Sequence, residues 1–265
     1  MSRVELVYKG FPIFLLIFCR ITAFFVVAPV FSTRNVPKTF KIGLCFFVSL
    51  LVFLTYGMKQ TIVPDAEYIL AIIREILAGV LLGFAAYLFF AVINTAGSFI
   101  DMQMGFGMAS IIDPMTGASA PLLGNFKGMI ATLVFLSING HHYLLSALLQ
   151  SYDWIPLSNT LFLHLKTGSI STFLVQMFAQ TFMLALQMSA PLVAAMFLTD
   201  VGLGFLARTA PQYNVFVIGI PIKILVGFLM LAVLMPGLVT LYEHIFAQMF
   251  DAMQKLFSIL QGPAS

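Results

Sequence analysis

Apolar side chains run in long blocks separated by short polar clusters, and most of the blocks have the length of a membrane crossing. A helix rises about 1.5 Å per residue, so about 20 apolar residues cross about 30 Å of hydrocarbon. Phe11–Phe31 meets that length, and Ile42–Gly57 is shorter but continuous. Tyr68–Ile100 is apolar except at Arg74, Glu75, Asn94 and Thr95. As one helix of about 33 residues it would reach about 50 Å, so it must tilt, kink or project beyond the bilayer. Phe126–Leu149 is interrupted by Asn139-Gly140-His141-His142, Phe173–Thr199 carries Pro191, and Val215–Leu241 carries Pro221 and Pro236. Tyr242–Leu260 reads as an amphipathic C-terminal helix. The pattern predicts an all-α integral membrane protein of about six long, kinked hydrophobic helices with a re-entrant loop.

Proline sharpens this reading. Pro12, Pro29, Pro191, Pro221 and Pro236 all lie within or at the edges of apolar runs. Each removes a backbone donor and crowds the preceding turn. Backbone left unpaired cannot face lipid, so interrupted helices need cover from protein or a cavity. That fits helices shielded by neighbouring subunits, and equally an ordinary proline-kinked bundle.

Composition excludes a water-soluble fold. Hydrophobic residues make up 61% and charged residues 9% of the 265 positions, against roughly a quarter charged in soluble domains. The net charge of +3 is scattered, with no basic block to serve as a nucleic-acid footprint. Cys19 and Cys45 both sit in apolar runs and read as small hydrophobes, not as a disulfide framework. Arg3 and Lys9 precede Phe11–Phe31 in the manner of a secretory signal. Arg20 within the run, the run's length, and Pro29 directly after Ala28 favour a retained span. Ser32–Lys41 holds Arg34, Lys38 and Lys41 with no acid, which predicts a cytoplasmic loop and an N-terminus on the other side.

The segment Gly97–Gly128 departs from an ordinary connection. It carries Gly105-Phe106-Gly107-Met108, Asp113-Pro114, Gly117, Pro121 and Gly124, together with Met102, Met104, Ile111, Ile112, Met115 and Leu122. Connecting loops are usually polar and face water. Turn-forming residues mixed with soft apolar ones suit a loop that folds back and seals a cavity, because an apolar constriction blocks ions and water. A re-entrant loop that merely packs satisfies the same residues.

Arg20, Glu75, Asp101 and Lys223 are ionisable residues in or beside apolar runs, and such residues mark function or helix pairing. Arg20 and Glu75 read best as structural, pairing with each other or with a partner subunit to orient helices, and no chain of groups for a proton relay can be assembled. Gly79-x-x-x-Gly83 and Gly124-x-x-x-Gly128 allow close helix approach.

No enzyme signature survives inspection. Gly105-Phe106-Gly107 lacks the third glycine and the strand of a dinucleotide site, and no Walker A or Gly-x-Ser-x-Gly motif occurs. His141-His142 points to different faces of a helix without further ligands, so no metal and no cofactor are expected. Tyr152-Asp153 matches one half of an intramembrane aspartyl protease signature, but Gly202-Leu203-Gly204 is followed by Phe205 instead of Asp. A small-solute transporter would need a polar site near the bilayer midplane, and the prolines alone do not supply one.

Nearly the whole chain resembles the FliR/SctT family of the type III export gate. The resemblance rests on Ala28-Pro-Val-Phe-Ser, Val36-Pro-Lys38, Ala96-Gly-Ser-Phe-Ile-Asp-Met-Gln-Met-Gly105, Asp113-Pro114 and Asn139-Gly-His141. Arg208-Thr-Ala-Pro-Gln-Tyr-Asn-Val-Phe-Val-Ile-Gly-Ile-Pro221 carries most weight, followed by Leu234-Met-Pro236 and Glu243-His-Ile-Phe246. Asn139-Gly-His141 and Glu243-His-Ile-Phe246 are closer to the flagellar than to the injectisome branch.

The resemblance implies one copy of this chain in a hetero-oligomer with FliP and FliQ, with FlhB on the cytoplasmic side. It places the assembly in the bacterial inner membrane, in the flagellar basal body, passing unfolded export substrates. It also implies a FliP-like part over 1–165 and a FliQ-like helical hairpin over 166–265. The family's plug maps to about 105–124, so Gly105, Phe106, Gly107, Met108, Ile111, Ile112, Asp113, Pro114, Met115, Gly117 and Gly124 become plug candidates. Arg20, Glu75 and Lys223 are expected to hold helices together, and Arg208, Pro211, Asn214 and Pro221 to form a cytoplasm-proximal contact. Export energy would come from other subunits and the proton motive force.

Overall fold

The computed structural model describes residues 3–33, 36–59, 67–106, 121–157 and 168–261. Among them there are helices and no strands: α1 (Arg3–Val27), α2 (Lys38–Thr55), a 3-10 turn (Gly57–Lys59), α3 (Glu67–Met104), α4 (Leu122–Ser137), α5 (Gly140–Trp154), α6 (Ser169–Thr209) and α7 (Val215–Gln261). α1, α2, α3, α6 and α7 are long and apolar enough to cross a membrane, and α4 with α5 adds a sixth crossing if that bent pair spans as one.

Several boundaries differ from those the apolar runs suggest. α7 continues through Pro221, Pro236 and Tyr242 as one helix, so the amphipathic C-terminal part is not a separate element. Pro12 and Pro191 likewise lie inside α1 and α6. A proline removes one donor and disturbs one turn, which the remaining ladder of a long helix absorbs. The interruption at Asn139-Gly140 is real: Asn139 adopts a left-handed conformation with φ 58° between α4 and α5. Asparagine tolerates that region better than most side chains.

The contacts group into two units. The first comprises the described residues of Met1–Leu88, Asn139–Met177 and Ala247–Ser265. Its core is built on one face of α1, where Ile13, Leu16, Ile17, Ile21 and Phe24 recur at helical spacing and are buried. Gly79 and Gly83 of α3 let that helix press on α1: a Cβ on Gly83 would sit 3.0 Å from the Val27 Cβ and 3.1 Å from the Ala28 nitrogen. Trp154 of α5 stacks on Phe257 of α7 at 6.2 Å, and Tyr143 meets Phe250 at 5.0 Å.

The second unit comprises the described residues of Phe89–Ile138 and Phe178–Phe246. Phe90, Phe135 and Phe246 form an aromatic triangle with centroids 5.0–5.2 Å apart. Ile100, Met104, Leu123, Leu192 and Met196 form a buried cluster. Gly97 and Gly124 face each other where α3 and α4 touch, and a Cβ on Gly97 would run into the Gly124 backbone.

Candidate functional site

In the first unit a buried polar node forms around Arg20. Its Nε donates to Glu75 Oε2 at 2.6 Å and its Nη2 to Glu75 Oε1 at 2.9 Å, with both side chains at 0% exposure. Nη1 donates to the Ser151 carbonyl at 3.1 Å and to Ser151 Oγ at 3.2 Å, and Nη2 also donates to the Ile155 carbonyl at 2.8 Å. The guanidinium lies over the Tyr152 ring at 4.3 Å from its centroid. Tyr152 donates to the Ile17 carbonyl at 3.2 Å, and Tyr56 donates to the Tyr152 carbonyl at 2.7 Å. Burial raises the Tyr56 phenol above its ordinary pKa, and Asp153 adds to the effect. Arg74 donates to the Leu157 carbonyl. A planar fork with five donors suits this task, because it bonds the Glu75 carboxylate and the Ser151 and Ile155 carbonyls at once. The node ties α1, α3 and the end of α5 together.

In the second unit Asp101 of α3 governs the start of α4. The helix begins after Pro121, which has no side chain to cap the free amides. Asp101, 5% exposed, supplies the acceptors: Leu123 N–H donates to Oδ1 and Oδ2 at 3.1 Å, and Gly124 N–H donates to Oδ2 at 3.3 Å. A carboxylate there is favoured by the positive end of the helix dipole.

α3 ends in a glycine cap. Phe106 N–H donates to the Asp101 carbonyl at 3.0 Å and Gly105 N–H to the Met102 carbonyl at 3.4 Å, with Gly105 at φ 88°. This is the paired bonding that closes a helix through a left-handed glycine. It turns Phe106 back onto the cluster of Ile100, Met104 and Leu123, edge-on to Phe228 at 6.5 Å.

The plug candidates thus divide. Gly105 and Phe106 end α3, and Gly124 lies buried within α4, where its missing side chain serves helix contact. Gly107, Met108, Ile111, Ile112, Asp113, Pro114, Met115 and Gly117 lie outside the described residues. Lys223 of α7 pairs with Asp200 of α6 at 2.5 Å, partly exposed. Arg208, Pro211, Asn214 and Pro221 are exposed at and near the turn between α6 and α7, and Asn214 Oδ1 accepts from Phe216 N–H at 3.2 Å. The structure brings Arg208, Pro211 and Asn214 to one turn and sets Pro221 within α7.

The sequence reading missed Asp200, Ser151 and Lys127. Lys127 is 3% exposed, and its place near the start of the run Phe126–Leu149 was the signal available. Ser151 contributes its backbone carbonyl as well as its hydroxyl, and a carbonyl has no signature in residue type. Among the described residues no three His, Cys, Asp or Glu side chains come together as a metal site.

Comparison with known proteins gives consistent relatives. The family described as bacterial export proteins, family 1, matches residues 11–249. The flagellar biosynthetic protein FliR of Bacillus subtilis (strain 168) is 42% identical over 250 residues, covering 94% of this chain and 96% of that protein. The FliR protein of Escherichia coli (strain K12) is 33% identical over 247 residues, covering 91% of each chain. The Yop proteins translocation protein T of Yersinia pestis is 30% identical over 231 residues, covering 86% of this chain and 88% of that protein.

Proposed function

The chain belongs to the bacterial export proteins of family 1, and from that premise we propose that it is a pore-forming subunit of the flagellar type III protein export gate. In this reading it joins FliP and FliQ, with FlhB at the cytoplasmic side, as a single copy in the inner membrane at the flagellar basal body. Residues 1–165 act as a FliP-like part and 166–265 as a FliQ-like hairpin. The complex conducts unfolded flagellar proteins and the chain itself performs no catalysis.

One observation carries the need for partner chains. Exposed apolar residues on α6 run from Val175 to Leu206, a length of roughly 45 Å at the helical rise. A span tilted by as much as about 40° covers roughly 40 Å of helix within about 30 Å of hydrocarbon. Lipid alone therefore leaves part of this stripe facing water, and apolar helices of other subunits would cover it. The seal is assigned to Phe106, Met108, Ile111, Ile112 and Met115, whose soft apolar side chains suit a constriction that yields to a passing chain. The exposed turn with Arg208, Pro211 and Asn214, with Pro221 beyond it, is assigned to cytoplasm-proximal contact.

Copurification tests the assembly. The tagged chain, drawn from membranes in mild detergent, is expected in one large particle with two other small hydrophobic proteins of the FliP and FliQ kind. A chain that runs alone at its own mass under conditions that preserve its fold would overturn the reading.

A further inference from the structure

Within the second unit a groove of about 890 Å³ runs beside α4 and α7. Leu122, Phe126, Met129, Phe228, Leu231 and Met235 make most of its wall. Among the described residues lining it, Lys127 is the only ionisable one and Asn125 the only other polar one. Lys127 is 3% exposed. Among the described residues it has no hydrogen-bond partner and no carboxylate oxygen within 4.0 Å. The acid that acts on it from a distance is Asp101, and both Asp101 oxygens already accept backbone amides at the start of α4. A buried cation without a hydrogen-bonded counter-ion is costly, and an anion entering the groove would relieve it.

We propose that this groove binds an anionic phospholipid of the surrounding membrane, with its phosphate on the Lys127 ammonium and acyl chain along the apolar wall. The lining favours a lipid over a helix of another protein. The chemistry of the wall is one cation in an otherwise greasy surface, which matches an anionic head and an apolar tail. The volume is that of a small-ligand site. Basic pockets between membrane helices are a recurrent setting for acidic headgroups. The proposal rests on the helices spanning a membrane and is independent of any role in export.

The test uses the full chain with whatever proteins it keeps in mild detergent. The sample is stripped of lipid, offered phosphatidylglycerol or phosphatidylcholine at equal concentration, and read by native mass spectrometry. The wild type should retain phosphatidylglycerol at least tenfold better. Lys127→Met should bring the two lipids within twofold, while Lys127→Arg keeps the preference. Ala232→Phe fills the groove with Lys127 intact and should cut retention of both lipids at least fivefold. Should Lys127→Met fail to accumulate, Lys127→Gln is read in its place. Equal retention of both lipids by the wild type, or an undiminished preference without Lys127, overturns the proposal. So does a zero-length crosslink from Lys127 to a carboxylate of a copurified protein, which would make the occupant a protein.

Discussion

Arg20 and Glu75 meet in a two-point ion pair, at 2.6 and 2.9 Å, with neither side chain exposed. The pair joins α1 to α3, and the same guanidinium reaches the Ser151 and Ile155 carbonyls at the two sides of the α5 end. One side chain therefore fixes three helices, and its strength depends on every member staying in place.

Glu75→Leu should lower stability by about 3–5 kcal/mol, because it strands a buried guanidinium that has lost its counter-charge. Arg20→Met with Glu75→Leu should recover part of that loss and not all of it, since the Ser151 and Ile155 carbonyls then lose their donor. Melting curves of the purified variants in detergent decide this. A double variant less stable than Glu75→Leu alone would show that the charge was not the problem.

Gly79 and Gly43 offer a matched contrast. A methyl on Gly79 would run into the Arg20 carbonyl and sit 3.0 Å from the Ala23 Cβ, whereas one on Gly43 meets nothing within 4 Å. Gly79→Ala should cost about 1–3 kcal/mol by overpacking. Gly43→Ala should be neutral or gain up to about 1 kcal/mol, because alanine is the better helix former. Equal melting temperatures for the two variants would argue that α1 and α3 do not approach this closely.

Much of this architecture is legible in the sequence, and what is not has physical causes. The long apolar runs give the helices, and Asn139-Gly140 marks the break between α4 and α5 because asparagine and glycine accept the turn required. The single cation in one run and the single acid in another draw attention to Arg20 and Glu75. Continuity of α7 through two prolines and past Tyr242 is not legible, since proline weakens a helix locally and packing decides whether the chain carries on. Asp101 is conspicuous as an acid beside an apolar run, but its task depends on the α4 start reaching it across 22 residues of sequence. The groove at Lys127 depends on α7 arriving beside α4, which no local pattern announces.

Asp101→Ala should destabilise the start of α4 by about 1–2 kcal/mol, because two amide donors lose their acceptor in a buried place. Asp101→Asn keeps one side-chain oxygen and should lose less than half as much. Thermal melts of the two variants measure the difference. Identical losses would mean that the charge, and not the acceptor, is what α4 requires.

Gly105 holds φ at 88°, a conformation that a Cβ makes unfavourable. Gly105→Ala should therefore cost about 1–2 kcal/mol and loosen the cap that turns Phe106 onto the Ile100 and Met104 cluster. Swimming assays of cells carrying Gly105→Ala and Gly105→Asn should rank asparagine above alanine, since asparagine tolerates positive φ. The reverse order would detach the cap from function.

The assigned seal makes two demands on the apolar residues at and beyond that cap. Replacing Phe106, Met108, Ile111, Ile112 and Met115 with serine should raise the ion conductance of the purified complex in planar bilayers, because polar side chains hydrate a constriction that apolar ones keep dry. A photoreactive or disulfide-forming group at Met108, introduced as Met108→Cys, should crosslink to an export substrate stalled in transit. The two readouts separate sealing from passage. Conductance that stays at the wild-type level would remove the sealing role even if crosslinks form. If no position from 105 to 124 captures a stalled substrate while the complex remains assembled, the exported chain travels by another route, and these residues merely pack.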